Sequence, residues 1–209
     1  MAYWRLCTYV FAISLYISDD KMFPMDRQVS DRNILDQFCE EFCEIVEKYC
    51  KYIIVSGFLV IASGRTRGTE DIDMIIKRIP LDTFVKLCKE LDDKGFECMQ
   101  SPQAENTYEY LLDNTSIRFT RKGEHLPEME MKFAKDELDL FQLGQRVKLE
   151  LTGLNVWFGS IAMNIAFKEE YLKSIKDLED AKYLRLVYKE MVDEDEIKAI
   201  KKMIKKIRL

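Results

Sequence analysis

The chain has 209 residues, of which 47% are hydrophobic and 33% are charged, and its formal net charge is −5. This length and apolar content fit one domain with an appendage or two small domains, and the eight glycines and four prolines argue against disorder and against a repeat array. The slightly acidic balance argues against generic nucleic-acid binding, which would need a local basic patch.

The N-terminal stretch, residues 1–25, is predicted to be an apolar extension. Residues 1–18 are apolar and aromatic, but they lack a basic start, a small-residue cleavage site and the length of a membrane span. We favour a start codon assigned too early, with translation beginning at Met22 or Met25. A packed strand or helix and a signal or anchor are the alternatives, and we expect no membrane partner.

Helical and strand patterns alternate along the rest of the chain up to about residue 159. The predicted helices of this part cover residues 30–49 (capped by Ser30), 58–63, 81–93 (after Pro80) and 103–112. The predicted strands cover residues 52–55, 72–77, 115–121, 128–134, 146–151 and 154–158, the last two as a hairpin. We expect the helix over 103–112 to close over the site described next. The later residues turn helical, over 161–172, 176–189 and 193–207, which predicts a core over 26–159 and a C-terminal helical region over 160–209.

Two carboxylates one residue apart, Asp71 and Asp73, begin the second predicted strand. Side chains at i and i+2 of a strand point to the same face, so these acids lie side by side and repel each other. A divalent metal ion relieves such repulsion, and Mg²⁺ typically takes one or two carboxylates together with substrate phosphates. The upstream arginines Arg65 and Arg67 suit phosphate oxygens. The motif therefore predicts metal-assisted chemistry on a nucleotide.

The sequence over residues 55–76 contains Ser-Gly, Gly-Arg-Thr-Arg-Gly-Thr and Asp-Ile-Asp in that order. It resembles the signature of the nucleotidyltransferase-fold superfamily, and most closely its small prokaryotic and archaeal members related to abortive-infection and toxin–antitoxin nucleotidyltransferases. The resemblance implies an α+β fold, with a mixed sheet flanked by helices and a C-terminal helical region.

The activity that the resemblance implies is Mg²⁺- or Mn²⁺-dependent transfer of a nucleoside monophosphate from an NTP to an acceptor hydroxyl. The acceptor is open among tRNA, a protein and a small molecule such as an aminoglycoside, and a cognate partner protein is also implied. The first alternative is a non-catalytic module that binds nucleotide or forms half of a toxin–antitoxin pair. The second is a plain interaction protein in which Asp71 and Asp73 pair with Arg65 and Arg67.

By the same resemblance, Asp71 and Asp73 are catalytic residues and metal ligands, and a third carboxylate stands on the strand over 128–134. Glu130, which is flanked by methionines, fits the hydrophobic–acid–hydrophobic pattern of the family better than Glu128. Relatives often carry an aspartate at this position. An exposed glutamate on the face of a strand is the alternative interpretation.

The nucleotide-binding residues that the resemblance implies are Ser56, Gly57, Arg65, Arg67 and Lys168. The Ser56–Gly57 turn matches the point where backbone N–H groups approach the phosphates, and an ordinary strand-to-helix turn is the alternative. Lys168, together with Asp177 or Asp180, resembles a lysine and an acidic stretch that face the cleft in toxin-type relatives. A solvated face with i,i+4 charge pairs explains these residues equally well.

The six cysteines include no Cys-x-x-Cys pair, and His125 is the single histidine, so the sequence has no zinc-site spacing. We expect Cys39, Cys43 and Cys50 to be buried as small hydrophobic residues on one helix face, and a disulfide or a metal clip is the alternative. Reduced thiols are typical of a cytoplasmic protein, which is the location we expect.

The last predicted helix has acids in its first turn and cations in its last turn, the order that the helix dipole favours. A structural helix docked by one apolar stripe is our prediction, and an RNA-contacting helix is the alternative.

Overall fold

The structure, a computed structural model, describes residues 34–66, 68–69 and 71–209. The α-helices are α1 (Ile34–Glu47), α2 (Gly57–Ala62), α3 (Leu81–Asp93), α4 (Ala104–Leu112), α5 (Glu137–Gly144), α6 (Ile161–Phe167), α7 (Ile175–Val187) and α8 (Glu194–Arg208). The strands are β1 (Tyr52–Val55), β2 (Asp71–Ile76), β3 (Phe96–Cys98), β4 (Ile117–Arg121) and β5 (Glu128–Phe133). A π-helical turn, Lys168–Leu172, continues α6. The predicted cap Ser30, the extension over 1–25 and Arg67 lie outside the described residues.

The strands form one mixed sheet in the order β1-β2-β5-β4-β3. β2 and β5 are parallel, while the other neighbouring strands are antiparallel. A parallel pair requires a crossover connection, and the chain from α3 to β4 supplies it. The predicted α+β fold with a mixed sheet and flanking helices is confirmed.

Helices α1, α3 and α4 cover one face of the sheet, where the main hydrophobic core lies. Tyr108 of α4 contacts the rings of Phe84 and Phe133, with ring centroids 5.4 and 5.7 Å apart. Phe133 alternates with the glutamates of β5, so α4 lies on the face opposite to the carboxylates. The prediction that this helix closes over the site is therefore wrong, because its apolar side packs into the core.

The opposite face of the sheet carries the polar side chains of the two parallel strands. Its members are Asp71 and Asp73 of β2 and Glu128, Glu130 and Lys132 of β5. Helix α5 covers the β1 end of this face through a small cluster of Ile53, Ile75 and Leu143. The remainder borders a cleft whose other wall is formed by the π-helical turn and the start of α7.

Residues 145–159 do not form the predicted hairpin. Val147 pairs with Phe158 in an isolated antiparallel bridge, and the segment then runs along the free edge of β1. Ile54 N donates to Trp157 O at 2.8 Å, and Gly159 N donates to Ile54 O at 3.0 Å. The segment pairs with the edge of β1 because that edge strand has backbone groups that β2 does not pair.

The cysteines of α1 behave as small hydrophobic residues. Cys39 and Cys43 are buried in the core with their sulfur atoms 3.9 Å apart, and Cys50, beyond the end of the helix, is partly buried. Burial raises the pKa of the Cys50 thiol to about 12, so this thiol is protonated at neutral pH.

Helix α8 docks onto α6 through one apolar stripe, in which Ile197, Ile200 and Ile204 are buried. Its cations are also used inside the protein, since Lys201 pairs with Glu169 at 2.7 Å. These contacts are those of a structural helix. Among the described helices, none has both the length and the apolar character needed to cross a bilayer.

Arg208, near the end of α8, forms ion pairs that link this helix to the start of α5. Its side chain is 10% exposed and donates to Asp136 at 2.9 Å and to Asp139 at 2.6 Å. We expect Arg208→Met to lower the free energy of unfolding by about 2 kcal/mol, because two partly buried carboxylates lose their partner. Urea unfolding measures the change. The control Lys206→Met, at an exposed cation of the same helix, should change stability by less than about 0.5 kcal/mol; equal losses would contradict the prediction.

Candidate active site

Carboxylates from two parallel strands meet on the open face of the sheet. In the β2–β5 register, Asp71 is the partner of Glu128 and Asp73 is the partner of Glu130. Neighbouring strands are about 4.8 Å apart, so the four side chains form a compact acidic row. Thr69 orients the outer acid, since its hydroxyl donates to Asp71 Oδ1 at 2.8 Å. The structure thus brings together Asp71, Asp73 and Glu130, the three acids selected from the sequence.

The surroundings of Asp73 disfavour its ionised form, so its pKa is raised. Burial raises the pKa, the Lys132 ammonium partly offsets that rise, and the charges of Asp71 and Glu130 add to it. A divalent cation beside Asp73 would offset both the burial and the repulsion, and carboxylate oxygens are the ligands that Mg²⁺ and Mn²⁺ prefer. The donor set therefore fits such a metal ion. Lys132 was not selected from the sequence, although strand alternation puts it on the same face as Glu130.

Glu130 has a partner of its own in this structure. Arg118 of β4 donates to Glu130 Oε2 from Nη2 at 3.1 Å and from Nε at 3.3 Å. The same Nε lies 3.3 Å from Glu128 Oε2. Within residues 34–66, 68–69 and 71–209, no three carboxylate, histidine or cysteine side chains already converge as metal ligands. Arg118 was missed at the sequence level.

The Ser56–Gly57 turn lies between β1 and α2, next to Asp73. Ser56 has φ 65° and ψ −128°, a conformation that strains a residue with a Cβ atom and that recurs at functional sites. Its backbone N–H donates to Asn164 Oδ1 at 3.2 Å, and a hydrogen bond of its side chain with Asp73 lowers the pKa of that acid. Asn164 is itself held by bonds to Gly159 O and Ser160 O. A polar residue within the apolar run of α6 was the available signal for Asn164.

Two adjoining cavities share Ser56 and Asp73. The outer cavity has a volume of about 690 Å³, and the inner one has a volume of about 160 Å³. The outer cavity is also lined by Gly57, Gly68, Thr69, Asp71, Leu126, Glu128 and Lys176. Charged and amide side chains on the inner wall include Lys132, Asp139, Gln142, Asn164, Lys168 and Arg208. Asp73 is therefore accessible from both sides of the strained turn.

Lys168 and Arg65 meet at one buried acid of α7. The Lys168 side chain is 1% exposed and pairs with Asp180 at 2.8 Å and with Asp177 at 3.3 Å. Arg65 also pairs with Asp180, and with Glu179 at 2.8 Å. These ion pairs join the loop after α2 to the C-terminal region, and Lys168 still lines the inner cavity. The nucleotide-binding roles of Arg65, Arg67 and Lys168 stay predictions.

The strain at Ser56 can be measured with two variants that both remove its hydroxyl group. Glycine adopts φ 65° and ψ −128° without steric conflict, whereas alanine does not. We expect Ser56→Gly to be more stable than Ser56→Ala by about 1–2 kcal/mol. Urea unfolding of the two proteins gives the difference, and equal stability would show that the turn relaxes to another conformation.

The raised pKa of Asp73 predicts how stability changes with pH. A carboxyl group whose pKa is raised in the folded state holds its proton more tightly there, so ionising it lowers stability as the pH rises from its ordinary value of 3.8 through the raised pKa. We therefore expect Asp73→Asn, in EDTA, to be more stable than wild type at pH 7 and similar to it at pH 4. Chemical unfolding at the two pH values tests this, and a variant less stable than wild type at pH 7 would contradict it.

Comparisons with known proteins found similarity in structure but not in sequence. A scan against family models and a search of curated sequences gave no match. The crystal structure of ANT(2″)-Ia in complex with adenylyl-2″-tobramycin is similar at a TM-score of 0.50 and 15% identity, covering 83% of this chain and 98% of that one.

Two further solved structures are similar to the chain. One is an antigenic nucleotidyltransferase-like protein from Paracoccidioides brasiliensis, with a TM-score of 0.49 and 17% identity, covering 83% of this chain and 87% of that one. The other is JHP933 from Helicobacter pylori, with a TM-score of 0.46 and 16% identity, covering 83% and 75% of the two chains. At this identity the likeness to ANT(2″)-Ia, the one with a TM-score of 0.50, shows the fold. The chain therefore shares the fold of ANT(2″)-Ia.

Proposed function

We propose that the protein is a divalent-metal-dependent nucleotidyltransferase, which moves a nucleoside monophosphate from an NTP to an acceptor hydroxyl and releases pyrophosphate. One observation carries the proposal: the β2–β5 register puts Glu130 beside Asp73, on the face that Asp73 shares with Asp71. This row opens into a cleft next to a strained small-residue turn.

Asp71, Asp73 and Glu130 would hold Mg²⁺ or Mn²⁺ in this reaction. A divalent cation there supplies Lewis-acid stabilisation of the charge on the phosphoryl oxygens and favours the ionised acceptor hydroxyl. The acceptor oxygen forms a bond to the α-phosphorus while the bond to the pyrophosphate oxygen breaks. The protein contributes mainly position and charge, which is how phosphoryl-transfer enzymes act in general.

The triphosphate would be bound by the turn and by cations at the cleft. Ser56 and Gly57 offer backbone at the start of α2, close to Asp73. Lys168 lines the inner cavity, whereas Arg65 lines neither cavity, so Lys168 is the better candidate of the two for binding phosphate. Arg65 would act indirectly, since its pair with Asp180 fixes the helix that Lys168 contacts.

The acceptor is best sought among tRNA, proteins and hydroxyl-bearing small molecules. ANT(2″)-Ia, which shares the fold, was solved with an adenylylated aminoglycoside, tobramycin. This makes an aminoglycoside a reasonable member of the first acceptor panel.

A non-catalytic module, which binds nucleotide or a cognate protein as in a toxin–antitoxin pair, is the second candidate. The partners of three predicted site residues favour it. Glu130 is bound by Arg118, and Lys168 and Arg65 are bound by acids of α7. A protein that never releases these pairs would bind nucleotide without transferring it.

A transfer assay separates the two candidates. The protein is incubated with Mg²⁺ or Mn²⁺ and each labelled NTP, with and without tRNA, total protein or an aminoglycoside. We expect Asp73→Asn to reduce label transfer by at least about a hundredfold, because it removes a metal ligand. The matched control, Asp82→Asn, removes an exposed acid from α3 and should keep the wild-type rate.

The remaining outcomes of the assay are equally informative. Metal-dependent NTP binding that Asp73→Asn abolishes, with no transfer to any acceptor, would support the non-catalytic module. Transfer that survives in Asp73→Asn would contradict the proposed site. A wild-type protein that neither binds nor transfers nucleotide would contradict both candidates.

A further inference from the structure

We propose that Arg118 is a displaceable counter-ion for the third carboxylate, Glu130. Arg118 pairs with Glu130 when no metal ion is bound, and a divalent cation takes its place when metal binds. Arg118 is then a positioning residue that sets the metal affinity of the protein. This inference rests on the proposed function, because it concerns the same acidic row.

Arg118 contacts Glu130 through one oxygen of the carboxylate. Both donors of Arg118 point at one atom, Glu130 Oε2, at 3.1 and 3.3 Å, and Nε is shared with Glu128 Oε2 at 3.3 Å. Arg118 is also the partner of Glu130 in the β4–β5 register, so the guanidinium approaches the row from the side opposite to Asp73. A divalent cation held by Asp73 and Glu130 would compete with the guanidinium for this carboxylate.

Arg118 interacts electrostatically with several carboxylates of the acidic row. Its hydrogen bond to Glu130 raises its pKa, and the charges of Glu130, Glu128 and Asp71 act in the same direction. One positive charge thus faces three carboxylates. Adding a dication without moving Arg118 would put like charges close together, which is unfavourable in a partly buried site.

The exposure of the two side chains explains why Arg118, and not Lys168, is the group that moves. The side chain of Arg118 is 47% exposed, so it can leave Glu130 and remain solvated. Lys168, by contrast, is 1% exposed and faces Asp180, which is fully buried. Breaking that pair would leave buried charge uncompensated, which is strongly destabilising.

Manganese binding tests the inference without any turnover. Mn²⁺ is titrated into the full-length protein and free Mn²⁺ is measured by electron paramagnetic resonance, for wild type, Arg118→Met, Arg118→Lys and Arg121→Met. We expect Arg118→Met to bind Mn²⁺ about tenfold more tightly than wild type, because the competing charge is gone. Arg118→Lys should fall between the two, since an ammonium lacks the planar fork of donors.

Arg121→Met is the matched control for charge. Arg121 lies on the same strand but pairs with Glu41 and stacks on Phe96, away from the row. Its loss should leave the Mn²⁺ affinity within about twofold of wild type, as expected for an independent site. In a Glu130→Gln background, Arg118→Met should tighten binding less than it does in the wild-type background, because the hydrogen bonds of Arg118 to Glu130 are its main contact with the row.

Each outcome bears on either the inference or the function. Unchanged or weaker Mn²⁺ binding by Arg118→Met, while wild type binds, would overturn the inference and leave the metal site standing. Tightening of the same size in the Glu130→Gln background would overturn the role of Glu130 in the inference. If wild type, Arg118→Met and Asp73→Asn all fail to bind Mn²⁺, the result would contradict both the metal-dependent function and the inference.

Discussion

The parallel pairing of β2 with β5 is the constraint on which the candidate site depends. The pairing is held on the core face, where Ile72 and Met74 pack with Met129 and Met131. Since the side chains of a strand alternate, the register that buries these apolar residues also aligns the acids on the other face. A slip by one residue would put carboxylates into the core. The hydrophobic effect thus supplies the free energy that brings mutually repelling charges together.

That repulsion organises the surroundings of the acidic row. Ser56, at the end of β1, and Lys132 of β5 act on Asp73 from its two sides, while Arg118 of β4 neutralises the glutamates. All of these contacts offset the negative charge of Asp73 and of the glutamates of β5. Arg118, whose side chain is 47% exposed, can be exchanged for a divalent cation at little cost to the stability of the fold.

A second set of charges fixes the opposite wall of the cleft. Asp180 is fully buried and receives both Arg65 and Lys168, so it ties the loop after α2 to the π-helical turn and α7. Glu169, in the same turn, is bound by Arg185 and Lys201, and these cations hold its pKa below the ordinary value against the effect of burial. The position of the C-terminal helices over the sheet thus depends on paired buried charges as well as on the apolar stripe of α8.

The local pattern of the sequence determined the strands that carry the acids and the helices that flank them. These features follow from alternation, capping and spacing within a few residues, which is why β1, β2, β5 and α3 were predicted almost to the residue. Three-residue β3 and weakly amphipathic α5 gave too little periodic signal. Tertiary structure alone decided which face α4 covers, that the chain after α5 pairs with β1, and that Glu130 and Lys168 have protein partners. Those outcomes depend on contacts between residues far apart in the chain, and a charged side chain does not encode in its own neighbourhood which distant charge will neutralise it.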